Sequence, residues 1–397
     1  MGRGDSMTTR LQPSPEPVRL GQFRLPPAEA IQHAFEGIFQ RAWFANQGPL
    51  VTELDSSFAG VAGGRRSVCL TNTTIGLALA TRALDLRGRI AVPARASAEL
   101  IQGIAWGGAE PVLVDVNSRT GALDPDALDR CASARSGQPF VALAAVPAAH
   151  RPELPEDLLD VAERHQLPML IDASEVLGTS FRLPEASRAI ACYSFSSHHI
   201  VGAGEGSVAV THDESLAERL RWLRSFHGGR GDGLIQPRLN GKMAEAPAAL
   251  ILAGLAELSN HRAANADLFA RYRDRLAEVP GASLIECPEG QESNHEALEV
   301  ELESPEDALR VVTNLASHGI ESARPLSPRE LTRLGSRHAG EAAALKVAGP
   351  WPVAEELAAR RVRLPLGSQV QPATVDRIVT QVARTLKQAA PMRRLAS

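Results

Sequence analysis

Hydrophobic positions along the chain keep two different rhythms. Between residues 67 and 177, strand-length apolar runs at Ser67–Leu70, Ile90–Pro93, Pro111–Val116, Val141–Val146 and Met169–Asp172 alternate with segments of helical periodicity, such as Thr74–Asp85 and Leu158–His165. Ala189–Ser194 and Ser207–Thr211 extend the strand series. Strands alternating with helices predict βαβ units and a mostly parallel sheet of seven-stranded type, covered on both faces. Ahead of this block, Ile31, Phe35, Ile38, Phe39 and Trp43 share one helical face, and Leu50, Leu54, Phe58 and Val61 form a second stripe after Gly48-Pro49. Behind it come two long helical segments, from Ala244 to about residue 260 and on through Tyr272 to Ala277. A different pattern follows, with a strand at Ala297–Leu302, a helix at Pro305–His318, a strand at Arg361–Pro365 and a helix to about Lys387. The expected organisation is a mobile arm over 1–25, a large α/β domain over 26–280 and a small C-terminal α+β domain over 281–397.

Composition narrows the function classes. With 44% apolar and 22% charged residues the chain of 397 residues is ordinary globular material. A net charge of −4 offers no basic face for nucleic acid. No apolar run reaches the roughly 18–20 residues that span a bilayer, and residues 1–17 lack the apolar stretch of a signal peptide. Cys69, Cys131, Cys192 and Cys287 are dispersed, with no metal-ligand spacing. The expectation is a cytoplasmic protein with reduced thiols and no metal site. Aromatic residues are scarce, at 4%, so a site that needs a stacking ring has few candidates.

In doubly wound sheets, ligands bind beyond the carboxyl ends of the strands. Three such ends carry polar clusters. Asn72, Thr73 and Thr74 precede a helix, where hydroxyls and unpaired amides suit a phosphate or form an ordinary helix cap. Asp172 closes an apolar run and leads to Ser174 and Glu175. It is placed either to pair with a protonated ring nitrogen or to cap the turn that follows. The third cluster, Ser194 to His198 and His199, runs into Gly202–Gly206 with Glu205 inside it. Its histidine pair reads either as a surface feature or as reactive chemistry.

The order and spacing of these elements resemble the DegT-type sugar aminotransferases, of the aspartate aminotransferase fold. The resemblance rests on Gly48-Pro49-Leu50-Val51 with Glu53-Leu54, on Val92-Pro93 to Gly108–Val112 and Val114-Asp115-Val116, and on Ile171–Glu175 with Gly178. It continues through Tyr193-Ser194-Phe195 to Gly204-Glu205-Gly206, Leu239–Met243 and Arg363–Leu366. It implies a fold type I PLP-transferase, an α/β large domain with a small α+β domain. It also implies phosphate binding by Thr74 and Ser194, pairing of Asp172 with a ring nitrogen, and a homodimer in which Asn240 reaches the other subunit's phosphate.

The pattern breaks at its centre. Where the family's lysine forms a Schiff base with pyridoxal phosphate, four residues after the Phe of this element, the chain has His199. Ser97 stands at the ring-stacking aromatic, Asn72-Thr73-Thr74 replaces "SGT", and Val146-Pro147 replaces "VH". Two readings follow. The family's sugar 3-dehydratase branch, acting on nucleotide-linked 4-keto-6-deoxyhexoses, also has histidine there and holds pyridoxamine phosphate non-covalently. That likeness implies His199 as base, and an imidazole suits proton transfer near neutral pH. The other reading is a homologue that binds no such cofactor, repurposed or serving as an inactive partner subunit; a transaminase using another amine is a lesser alternative. Counting favours His199 over His198 as the reactive residue. Arg230, in a Gly-rich loop over 227–241, is a candidate for an anionic substrate group or a solvated charge.

Overall fold

The computed structural model describes residues 17–133, 139–185, 188–225, 239–336, 346–347 and 350–393. All seven strands expected between residues 66 and 211 are present: β1 (Arg66–Leu70), β2 (Arg89–Pro93), β3 (Glu110–Val114), β4 (Phe140–Ala145), β5 (Met169–Asp172), β6 (Ala189–Ser194) and β7 (Ser207–Thr211). Four later strands are β8 (Ala282–Leu284), β9 (Leu298–Leu302), β10 (Lys346–Val347) and β11 (Arg361–Leu364). The large sheet runs β1-β7-β6-β5-β4-β2-β3-β10, so the two-residue β10 adds an eighth, edge strand to the seven. Only β7 runs against its neighbours. This is the α/β architecture of the fold type I PLP-transferases.

Alternation along each strand divides the interior into two cores. On β5, Met169 and Ile171 enter one core and Leu170 the other; on β1, Cys69 joins the first and Val68 and Leu70 the second. The first core is closed by Val51, Leu54 and Phe58 and by Ala248 and Ile251, the second by Leu77, Leu100, Ile104 and Leu220. Helices on both faces explain why these strands read as continuous apolar runs rather than as alternating ones. The strands' carboxyl ends, free of this covering, are left to form the site.

The small sheet has the order β11-β9-β8 and is antiparallel. Its core gathers Val300, Val311, Leu315, Val375 and Ile378, and also Leu268, Phe269, Tyr272 and Leu276 of the helix Leu258–Leu276. The Tyr272 hydroxyl donates to the Pro365 carbonyl at 2.8 Å. The small core therefore recruits residues from well before position 281.

Three expectations need correction. Residues 17–25 are not a free arm. Val18 bridges Ile320, and the Gln22 and Phe23 amides donate to the His198 and Ser197 carbonyls. Gln22 is fully buried, its side-chain amide donating to the carbonyls of Glu296 (2.8 Å) and Leu366 (3.0 Å). Gly367 permits this approach, because a Cβ there would lie 2.6 Å from the Gly21 carbonyl oxygen. The apolar face of the helix Ala28–Arg41 buries only Ile38; Phe39 and Trp43 stay 67% and 50% exposed. In the helix Pro49–Val61 the buried stripe is Val51, Leu54 and Phe58, at i, i+3 and i+7, with Leu50 half-buried and Val61 exposed.

Gln22→Ala removes the donor of two buried carbonyls at once, so an unfolding free energy lower by about 2–4 kcal/mol is expected in urea titration. An unchanged midpoint would show that the strap contributes nothing to the small unit's attachment.

Candidate active site

A cleft of about 770 Å³ lies beyond the strand ends, bounded by the large sheet on one side and the small sheet on the other. One end is the N-terminus of the helix Thr73–Ala83. Asn72 caps it, accepting from the Ile75 amide at 3.0 Å. Thr73 and Thr74 occupy the first turn, where backbone amides have no intrahelical partner. With Ser194, Ser196 and Gly206 from the ends of β6 and β7, they line this end of the cleft. Glu205 also lines it and is exposed. A hydroxyl-rich helix terminus attracts an oxyanion, and the Glu205 carboxylate works against that attraction.

Asp172 sits at the floor, buried at the end of β5. Its Oδ2 accepts from the Ser97 hydroxyl at 2.9 Å; its Oδ1 accepts from the Ser174 hydroxyl (2.5 Å) and amide (3.2 Å). Ser97 in turn accepts from the Leu100 amide as cap of the helix Ala98–Trp106. Burial pushes the Asp172 carboxyl upward, with the Ser174 and Ser97 hydrogen bonds opposing it. Ser97, placed by the sequence at a missing aromatic, thus holds the carboxylate.

His199 lies on the wall toward the small sheet. Its Nδ1 is 2.9 Å from Glu296 Oε1, and the other Glu296 oxygen accepts from the Ile200 amide at 3.1 Å. Burial alone would lower the imidazole's pKa, but the charge and hydrogen bond of Glu296, with Glu175 and Asp172 behind it, turn the net direction upward. The carboxylate at Nδ1 fixes the neutral tautomer with its proton there, which leaves Nε2 as the basic nitrogen. His198 is exposed and its ring meets Phe23 at 5.1 Å, although it also borders the cleft.

Further along the same wall, Glu175 accepts from Arg363 Nη1 at 2.8 Å. Burial pushes the Glu175 carboxyl up, and Arg363 more than reverses this, for a net downward shift. Arg363 Nε also donates to Glu299 at 3.0 Å. Glu299 is buried and draws in Arg95 and Arg361 as well, at 3.5 and 3.6 Å.

The cleft brings together Asn72, Thr73, Thr74, Asp172, Glu175, Ser194, His198, His199 and Glu205, nine of the residues singled out by the sequence. Asn240 is not among its lining residues; its Oδ1 accepts from Lys242 Nζ at 2.6 Å. Arg230 and the rest of 226–238 lie outside the described residues. The chain's lysines are Lys242, Lys346 and Lys387, and none lines the cleft. Among the described residues no cluster of His, Cys, Asp or Glu could hold a metal ion, and no helix is long and apolar enough to cross a membrane.

Sequence reading missed Glu296, Glu299, Arg95 and His150. The signal for Glu299 was present: Leu-Glu-Val-Glu-Leu on β9 and Arg-Val-Arg-Leu on β11 alternate charge with apolar residues. In register they pair Glu299 with Arg363 and Glu301 with Arg361. Glu296 had no such signature, since it lies outside the strand and meets His199 only through tertiary folding.

The residues present fit pyridoxamine or pyridoxal phosphate. A carboxylate offers about four lone-pair sites, and Asp172 has three hydrogen bonds, leaving room for a ring N–H. The hydroxyls of Thr73, Thr74 and Ser194 and the helix terminus would take the phosphate. Covalent anchoring has no amine at His199.

A protein-family model described as the DegT/DnrJ/EryC1/StrS aminotransferase family matches residues 27–383. GDP-perosamine synthase of Caulobacter vibrioides is 28% identical over 251 residues, which is 60% of this chain and 64% of that enzyme's length. Among solved structures, DesI in the presence of its TDP-sugar product is 27% identical and matches with a TM-score of 0.82 over 95% of this chain and 96% of its own. Spr1654 of Streptococcus pneumoniae, in its PMP form, shares the fold at TM-score 0.81 and 20% identity, over 95% and 100% of the two chains. With the family model spanning nearly the whole chain, the protein belongs to the DegT/DnrJ/EryC1/StrS aminotransferase family.

Proposed function

We propose that the chain is a sugar-modifying enzyme that holds pyridoxamine or pyridoxal phosphate without a covalent bond and uses His199 as its base, in the manner of a sugar 3-dehydratase rather than a transaminase. The observation that carries this reading is the pairing of His199, which lines the cleft, with the buried Glu296; the resemblance implies the family's lysine at this position. The likeness to GDP-perosamine synthase and to DesI with a TDP-sugar supports a nucleotide-linked sugar as substrate.

Bound pyridoxamine phosphate supplies a primary amine and an electron-withdrawing ring. Asp172, already oriented by Ser97 and Ser174, would hold a ring nitrogen protonated. Thr73, Thr74 and Ser194 would hold the phosphate. His199 would take a proton at Nε2 while Glu296 stabilised the imidazolium, and the same nitrogen would give that proton to a hydroxyl leaving as water. Arg363 holds Glu175 ionised beside it, which adds a second negative charge behind the imidazolium.

We further infer a cytoplasmic homodimer. The exposed Phe39, Trp43 and Phe44, with Phe39 and Phe44 ring to ring at 5.3 Å, leave an apolar face that the monomer does not cover.

Protein mixed with pyridoxamine phosphate and passed through a gel-filtration column with light scattering is expected to elute at dimeric mass and to carry the cofactor's near-ultraviolet absorbance. His199→Lys, given pyridoxal phosphate and borohydride, is expected to become covalently labelled at position 199, read by peptide mass spectrometry against labelling of the natural chain's own lysines. Protein that excludes the cofactor even at millimolar concentration would establish the cofactor-free reading, in which the Glu205 carboxylate keeps a phosphate from the helix terminus. A monomeric mass would contradict the homodimer.

The pair also fixes a pH dependence. His199 is expected to titrate above the usual value near 6.5, followed by NMR of its imidazole, and Glu296→Gln is expected to bring it down by removing the facing charge. Because the folded value is raised, the contribution of the His199 shift to stability is complete below about pH 6.5 and fades as pH rises through the folded pKa. A His199 resonance unmoved by Glu296→Gln would contradict the pairing.

A further inference from the structure

The N-terminal strap, residues 17–25, reaches both halves of the His199–Glu296 pair. Its backbone crosses the loop that carries the histidine: the Gln22 amide donates to the His198 carbonyl at 3.1 Å and the Phe23 amide to that of Ser197 at 3.0 Å. Gly21 permits this approach, since its φ is +114° and a Cβ there would lie 3.0 Å from His198 Cδ2. The Gln22 side chain serves the other half, with Nε2 donating to the Glu296 carbonyl at 2.8 Å and to the Leu366 carbonyl at 3.0 Å. Both N–H bonds of that side-chain amide are therefore used. One residue spans the histidine loop and the carboxylate that meets it.

The backbone at Glu296 lies outside β9 and its ladder. Its N–H donates to the Asn294 side chain at 3.0 Å and its carbonyl accepts from Gln22, so side chains do here what a neighbouring strand does for β9. Packing alone does not confine the pair, because a cavity of about 290 Å³ is bordered by Leu20, Gly21, His198, His199 and Glu296. A carboxylate released from its backbone anchor has room to turn away from Nδ1. The consequence is chemical. An imidazole without a partner at Nδ1 can carry its proton on either nitrogen, and a proton on Nε2 leaves that atom unable to accept one. The strap itself has other anchors: Val18 at Ile320, the Leu20 amide on Glu321 at 2.9 Å, and the Ser368 hydroxyl on the Gln22 and Phe23 carbonyls at 3.0 and 2.9 Å. These hold the strap without touching Glu296.

We propose that Gln22 is a positioning residue for His199: by clamping the Glu296 carbonyl with its side chain and the His198 carbonyl with its amide, it keeps the carboxylate on Nδ1 and reserves Nε2 for the proton that the reaction moves. Gln22 is not among the residues that line the cleft, so it acts through the pair and not on a ligand. The use of Nε2 as a base rests on the reading given under Proposed function; the control of the tautomer by Gln22 does not.

The test is imidazole nitrogen NMR of the full chain made with isotopically labelled histidine, without cofactor and at a pH where the ring is neutral. His199 is assigned as the signal lost in His199→Asn. The natural chain is expected to show a protonated Nδ1 and an unprotonated Nε2, with well-separated resonances. In Gln22→Ala the two are expected to move toward each other as the second tautomer gains population. Gln22→Met, which keeps the side-chain volume, is expected to give the same shift and remains informative if Gln22→Ala fails to fold. Ser368→Ala, which loosens the strap but spares the Gln22 side chain, is expected to leave both resonances in place. In a Glu296→Gln background, Gln22→Met is expected to add no further shift, because the two residues act as one unit. Resonances unmoved in both Gln22 variants, an equal shift in Ser368→Ala, or a full further shift in the Glu296→Gln background would each overturn the proposal. A Gln22-dependent tautomer in protein that refuses pyridoxamine phosphate would keep the positioning role and remove the cofactor reading instead.

Discussion

The carboxylate of Glu296 is the contact on which the site's geometry depends. One oxygen meets His199 Nδ1; the other accepts from the Ile200 amide and, at 3.4 Å, from the Asn294 side chain. Its backbone carbonyl accepts from Gln22, which ties the N-terminal strap to the same point. The residue just before β9 therefore fixes the loop after β6, and large sheet, small sheet and strap meet at one buried carboxylate. Removing one partner of a buried pair leaves an uncompensated charge, at a cost of about 3–5 kcal/mol. The loop is thus held in one position before any ligand arrives.

The same logic separates the two halves of the cleft. Around Asp172 the polar contacts are short and mostly neutral: two serine hydroxyls and one amide. Such contacts orient a carboxylate without consuming its charge, and a cationic ring can still be held there. At the far end the contacts are ionic: Arg363 meets Glu175 and Glu299, and Arg361 meets Glu299 and Glu301.

Much of this was legible in the sequence, for reasons that individual residues make plain. The seven strands of the large sheet are buried on both faces, so their runs of Val, Ile, Leu and Ala declare themselves, and Asp172, Ser194 and Thr74 could be placed at their ends. The family resemblance located the substitution of His199, which composition alone does not reveal. What stayed hidden depends on tertiary pairing across long separations. Gln22 and Glu296 are 274 residues apart, and nothing local marks either as buried. Residues 17–25 read as an arm because proline and arginine suggest disorder, yet the bridge at Val18, the Gln22 and Phe23 amides and the buried Gln22 side chain hold them. The helix Ala28–Arg41 misled in the opposite direction: its apolar face is real, and the monomer does not bury it.

The most direct measurement is a crystal structure of the protein soaked with pyridoxamine phosphate. The account predicts the phosphate at Thr73, Thr74 and Ser194, the ring nitrogen against Asp172, and the amine-bearing carbon within hydrogen-bonding reach of His199 Nε2. Density only at the far end of the cleft, or a ring turned so that Asp172 keeps nothing but Ser97 and Ser174, would contradict it.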